Sequence, residues 1–235
     1  MKLVLFNNLE ESDKVNAVER LISHSTPSQD FFFMMALSVL TAVLGILLES
    51  VAIVIGSMLI APLLSPILSL SLGVTTADSD LMNRSLLTIV KSLFVGVSVS
   101  AVATLLFAGG KLPETLIISS EPSLLYVAVA IVAGFAASFA LVKPKLNETL
   151  PGVAIAVALV PPISLIGIGI AQWSWITITE AFLLFGLNAL GIIFAGMVTF
   201  SLMNFYTKKK VVENVIVKED KKLEEEEGRE EEVIE

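Results

Sequence analysis

Residues 57–70 read "SMLIAPLLSPILSL". The stretch is apolar enough to cross a membrane, yet Pro62 and Pro66 sit near its middle. A proline inside a helix removes a hydrogen bond and presses on the preceding turn. Hydrocarbon holds no water to repair that loss. Either the chain tolerates a weak point here or it presents backbone groups for a purpose.

The surrounding sequence supplies the context. The chain has 235 residues, of which 55% are hydrophobic and 16% charged; soluble domains carry about a quarter charged residues. Mean hydropathy is +0.85. From Phe31 to Tyr206 the sequence is a run of apolar blocks, each about 20 residues long, which is the length that spans ~30 Å of hydrocarbon. Six segments are expected, at 31–49, 51–73, 86–109, 123–142, 151–171 and 180–206. Charge or turn residues separate them: Glu49-Ser50, "TTADSD", "GGKLPE", "KPKLNET" and "QWSW". The predicted fold is an all-α polytopic membrane protein with six transmembrane helices.

Net charge is −8, and the densest run of acid, ten of the 23 Asp and Glu, lies in the tail "EDKKLEEEEGREEEVIE". That balance gives no support to nucleic-acid binding. The absence of cysteine excludes disulfides and thiolate metal sites. His24, the one histidine, leaves no ligand cluster for zinc, so no metal or cofactor is implied. The first 30 residues are polar and mixed, unlike a signal peptide. Within them, Val15, Val18, Leu21 and Ile22 share one helical face of residues 10–24, a short surface helix on which His24 reads as solvated. The domain division is residues 1–30, a cytoplasmic segment; 31–206, the membrane domain; and 207–235, a charged tail that is disordered or a solvated helix. The tail's "KKK" at 208–210 suits anionic headgroups.

Lysine and arginine set the orientation. With the N-terminus inside, one side holds Lys2, Lys14, Arg20, Arg84, Lys143, Lys145 and the 208–210 cluster, and the other only Lys111. Both termini are therefore expected in the cytoplasm, with the protein in the cell membrane. Re-entrant second and fifth segments would move "KPKLNET" outside, against the charge bias.

Residues 156–170, "AVALVPPISLIGIGI", echo the opening stretch. The run from Met58 to Leu63 lines up with that from Ala158 to Ile163, and each block is the middle segment of a group of three. A three-span unit starts on one side and ends on the other, so a second copy runs inverted. Two inverted three-helix repeats are expected, about 31–109 and 123–206, with proline-broken second and fifth helices. Pairs of interrupted segments at matching places in two halves mark transporter binding sites. Proline kinks that serve packing alone are the competing reading.

These blocks carry a resemblance. "GSMLIAPLLSPILSLSLG" and "LPGVAIAVALVPPISLIGIGIA" resemble the signatures of a prokaryotic family of uncharacterised hydrophobic membrane proteins, the domain of unknown function numbered three-eight-nine. "GLNAL" at 186–190 resembles its last-helix asparagine motif, which is commonly written Thr-Asn; Leu187 stands before Asn188 here. The resemblance covers about residues 30–203 and implies a membrane fold without implying a chemistry. Many relatives look as if they carry a longer soluble domain before the membrane part.

Other polar residues in the spans are candidates. Lys91 lies one to two turns into segment three, where it either snorkels to the interface or faces a solute. Asn188 cannot snorkel, and is expected to bond between helices, to satisfy a broken backbone or to touch a solute. Glu49 and Glu180 read as interfacial carboxylates and Glu148 as loop structure. Gly96 with Ser100, and Ala130 with Gly134, form close-packing faces within or between chains.

The expected function is a transporter or channel for a small solute or ion. Pro62, Pro66, Pro161 and Pro162 would shape the breaks, Ser57, Ser65, Ser164 and Asn188 would line them, and Lys91 is a secondary candidate. Six spans are few for one pathway, so a homo-oligomer is expected in the lipid bilayer. The alternative is a scaffold or interaction protein in which the kinks serve packing. No enzyme is expected: paired aspartates, "HExxH" and a Ser-His or Ser-Lys pair in a clear context are all missing.

Overall fold

The computed structural model describes residues 10–108, 124–143 and 149–234. Lys2, Lys111, Lys145 and Glu148, named above, lie outside the described residues. The described chain is all-helical: α1 (Glu11–Ser25), α2 (Gln29–Leu47), α3 (Val51–Met58), α4 (Leu64–Thr76), α5 (Ser79–Phe107), α6 (Leu124–Val142), α7 (Thr149–Ala171) and α8 (Trp175–Leu202). A 3-10 turn, Phe205–Lys208, leads into α9 (Lys209–Ile234). Among the described residues, four helical stretches are long and apolar enough to span a membrane: α2, α5, Leu125–Val142 of α6, and α8. Two further apolar stretches are shorter, α4 and Leu159–Ala171 of α7. The molecule is a multi-pass helical membrane protein.

Four of the six expected segments are long apolar helices, segments two and five correspond to shorter apolar helices, and one expectation is corrected. Segment two is broken, into α3 and α4. Segment five is not broken: α7 runs continuously through Pro161 and Pro162. The spacing of the prolines accounts for the difference. Pro62 and Pro66 are four apart, so Met58 and Pro62 both lose the N–H that would cap their carbonyls, in two successive turns. The adjacent Pro161 and Pro162 withhold donors from Val157 and Ala158, which lie in one turn. A single damaged turn can be carried by its neighbours. Pro66 itself falls in the first turn of α4, where no intrahelical donor is needed.

Three helix–helix turns share one construction. Glu49, Ala77 and Trp173 adopt left-handed φ values of 53°, 51° and 57°. The following residues, Ser50, Asp78 and Ser174, each donate a backbone N–H at 2.9 Å to the carbonyl of Gly45, Gly73 or Gly169. This is the Schellman pattern, which satisfies carbonyls at a helix end. Asp78 and Ser174 then cap the next helix through their side chains, accepting from Leu81 N–H at 2.9 Å and Thr177 N–H at 3.4 Å. Each glycine lets the next helix approach. A Cβ on Gly45, Gly73 or Gly169 would lie 2.9, 3.0 or 3.1 Å from the backbone nitrogen of Val54, Met82 or Ile178.

The small-residue faces pack within the chain. Gly96 on α5 meets Ile163 of α7 and Met35 and Val39 of α2, and Gly134 on α6 meets Ala195 and Ile192 of α8. Outward faces stay apolar, as lipid contact requires: Phe94, Leu105, Leu125, Val132 and Ile176 are all exposed. Trp173 and Trp175 are exposed at one end of the bundle, where membrane-interface aromatics sit.

The opposite end carries a cap. There α1, the 3-10 turn and α9 cover the end of the bundle. Ala17, Val18, Leu21 and Ile22 of α1 join an apolar cluster with Leu72, Phe200, Met203, Phe205, Val212, Val215 and Ile216. The tail forms a helix over Lys209–Ile234. Its buried valines recur at helical spacing, so it docks on α1 along one face.

Candidate functional site

The interruption between α3 and α4 spans Leu59 to Leu63. Its backbone donors make two backbone hydrogen bonds, Leu59 N–H to the Gly56 carbonyl and Ile60 N–H to the Ser57 carbonyl, both at 3.2 Å. Among the described residues no acceptor takes the N–H of Ala61 or Leu63, and Pro62 has none to give. The first residue of α4 follows Leu63, whose side chain cannot cap. A helix N-terminus left in this state carries partial positive charge. Leu63 is buried, Ala61 and Pro62 are half-buried, and Leu59 is exposed.

Neighbouring hydroxyls satisfy part of the broken backbone. Ser38 of α2 donates to the Ser57 carbonyl at 2.8 Å. The Ser57 hydroxyl turns back to its own helix, donating to the Val54 carbonyl at 2.6 Å. In α7 the hydroxyl of Ser164 donates to the Val160 carbonyl at 3.1 Å, and Ser100 of α5 donates to the Ser164 carbonyl at 2.6 Å. Ser38 was not singled out from the sequence, and Ser100 was read only as a packing residue. Nothing in their immediate sequence distinguishes them from other buried serines; their roles arise from which carbonyl they face.

The two proline regions meet. Met58 and Ala61 pack with Ala42 of α2 and Val160 of α7, the residue just before Pro161. Ser57, Ser164 and Asn188 are buried, Pro66 and Pro162 are buried, and Ser65, Pro62 and Pro161 are half-buried. Lys91 is not brought to the break. It is exposed on α5 among Leu87, Val90 and Phe94, the side that faces lipid. Glu49 is exposed at the far end of α2. No cluster of three metal-ligating side chains occurs among the described residues.

The family model described as Domain of unknown function (DUF389) matches residues 58–194, which runs from the last residue of α3 into α8. The chain belongs to the DUF389 family. The DUF389 match takes in the α3–α4 interruption, both proline pairs and Asn188, the residues that carried the resemblance in sequence. The chain is also similar to an uncharacterized protein, MJ0678, of Methanocaldococcus jannaschii, at 33% identity over 211 residues and 82% of this chain. It spans 63% of the length of that relative. No solved structure matches.

Proposed function

We propose that this DUF389 protein is a transporter or channel for a small solute or ion, with its pathway running past the α3–α4 interruption and the Pro161–Pro162 step of α7. The observation that carries the reading is the open backbone of Ala61 and Leu63, held between apolar helices and packed beside Val160. In hydrocarbon each unsatisfied group costs several kcal/mol, and irregular backbone at membrane depth is tolerated where protein covers it or water reaches it.

We also read the chain as an inverted repeat, which would fit a transport pathway. A shift of 96 residues carries Gly73, Ala77 and Asp78 onto Gly169, Trp173 and Ser174, the corresponding members of two Schellman turns. It also carries Pro66 onto Pro162 and Gly56 onto Gly152. The shift exchanges contacts as a two-fold axis would: Ser71 against Gly196 becomes Gly167 against Ser100. This register places Pro66, not Pro62, opposite Pro162. Under it the units are α2 to α5 and α6 to α8, in opposite orientation. The lysine and arginine distribution then favours both termini in the cytoplasm, at the capped end.

A packing role is favoured by one observation, the coverage of the Ser57 and Ser164 carbonyls by serine hydroxyls of the same chain. Under that reading the protein is a scaffold and the cap recruits partners. Single cysteines at 57–69 and 158–166 decide between them, since the chain has no native cysteine. Each is challenged in sealed vesicles with a membrane-impermeant thiol reagent from either face. Reactivity clustered beside Ala61 and Val160 supports a water-filled pathway; silence at every position on both faces rejects it.

A further inference from the structure

We infer that α1 is a plug, seated in an inner vestibule between α4 and α6, that closes the capped end of the pathway. The inference rests on the transport reading above. The 96-residue shift pairs α2 with α6 and α4 with the second half of α7. Contacts on the two sides should then match. They do not. α2 packs directly along α7, whereas α4 and α6 make no comparable contact. α1 lies against both instead.

The fit of α1 is specific on the α4 side. Ser69, buried in the middle of α4, donates to Ser25 at 2.9 Å and reaches the Leu21 carbonyl at 3.3 Å. The apolar face of Ala17, Val18, Leu21 and Ile22 is fully enclosed. On the α6 side, Asp13, Asn16, Ala17 and Arg20 border a small cavity with Leu141 and Val142.

One ion pair holds α1 itself and a second holds α9, the helix on which α1 docks. Glu11 pairs with Lys208 at the exit of α8 and with Lys14 at 3.1 Å. Arg84 on α5 pairs with Asp220 of α9 and reaches Thr26 at 3.4 Å, just beyond α1. The first latch holds α1 to the chain leaving α8, and the second holds α9 to α5.

The test uses the full chain with one reporter, Ala61→Cys, labelled from the α1 side of oriented vesicles by an impermeant maleimide. With the latches intact, labelling is slow. Glu11→Lys with Asp220→Lys turns both pairs into repulsions. Labelling should then rise at least about tenfold, as when a minor open state becomes the major one. Adding Lys208→Glu and Arg84→Glu restores opposite charges and should restore the slow rate. Ser69→Cys, beneath α1, reports release of the helix itself, and deletion of residues 1–25 is the second means of releasing it. If Ala61→Cys labels fast with the latches intact, the plug is overturned. It is also overturned if Ser69→Cys becomes reactive while Ala61→Cys does not. Should Ala61→Cys react only from the opposite face, whatever the state of α1, the pathway stands and the plug falls. Silence of all reporters on both faces, with and without α1, rejects the pathway reading itself.

Discussion

Ser71 of α4 lies so close to Gly196 of α8 that a Cβ on the glycine would sit 2.8 Å from the serine Cβ. Two helices that approach to this distance hold by van der Waals packing, since lipid gives no hydrophobic drive for helices to associate. Gly196→Ala should therefore destabilise the bundle by about 1–3 kcal/mol, the usual cost of overpacking. Gly167→Ala should be worse, because its Cβ would meet Ser100 at 2.4 Å and the Val97 carbonyl oxygen at 2.7 Å. Thermal unfolding in detergent measures both, and Ser71→Gly should rescue Gly196→Ala but leave Gly167→Ala unimproved. Equal tolerance of the two alanines would refute the packing argument.

Among the described residues, the Ser38 hydroxyl and the Ile60 N–H donate to the Ser57 carbonyl where α3 ends. Ser38→Ala should cost about 1–2 kcal/mol, the range for leaving a buried polar group short of its partner. Ser38→Thr keeps the donor and should recover most of the loss. If alanine and threonine unfold at the same temperature, the hydroxyl contributes nothing to holding the break.

Ala77 adopts a left-handed conformation that costs an L-residue roughly 1–2 kcal/mol. Ala77→Gly removes that strain, while the extra freedom of glycine in the unfolded chain takes back about 0.4–1 kcal/mol. A small net gain in midpoint temperature is expected. Ala77→Val, branched at Cβ, should move the midpoint the other way. The pair is measured in one detergent against the parent.

Cap docking should weaken in acid. The Lys208 hydrogen bond first, then that of Lys14, holds the Glu11 carboxyl below its ordinary value of 4.5. The folded protein therefore keeps this group ionised at a pH where the unfolded chain has begun to protonate it. Its contribution is complete above the ordinary glutamate value and is lost as pH falls through the lowered one. The pair is solvent-exposed, so the effect is small and screened by salt. The hydrogen-exchange protection of α1, taken relative to the intrinsic amide rate at each pH from neutral to below that value, should fall in the parent and change less in Glu11→Gln. Identical profiles would remove Glu11 from the latch.

The sequence made the helices plain because membrane spans must be apolar over a fixed length, and Glu49-Ser50 and "TTADSD" fall where the turns form. The break at Pro62 was equally readable from the paired prolines. Continuity through Pro161 and Pro162 was not, because the local sequence does not say whether the flanking turns will carry one damaged turn. The docking face of α9 was hidden by composition. Glutamate dominates the tail, but Val212, Val215 and Ile216 recur at helical spacing and are enclosed against the cap. Ser38 could not be found in advance, since its partner lies 19 residues away.

The three Schellman turns have a consequence for how such a chain enters a bilayer. In the turns at Ala77 and Trp173, the residue that closes one helix also caps the next, so end carbonyls of the first and a leading amide of the second are settled within a few residues. A pair of helices joined this way reaches the headgroup region with little exposed polar backbone at its tip. It can leave the translocation machinery as a preassembled hairpin instead of as two separate spans. The α4–α5 and α7–α8 hairpins can thus form during synthesis, before the rest of the bundle exists to hold them.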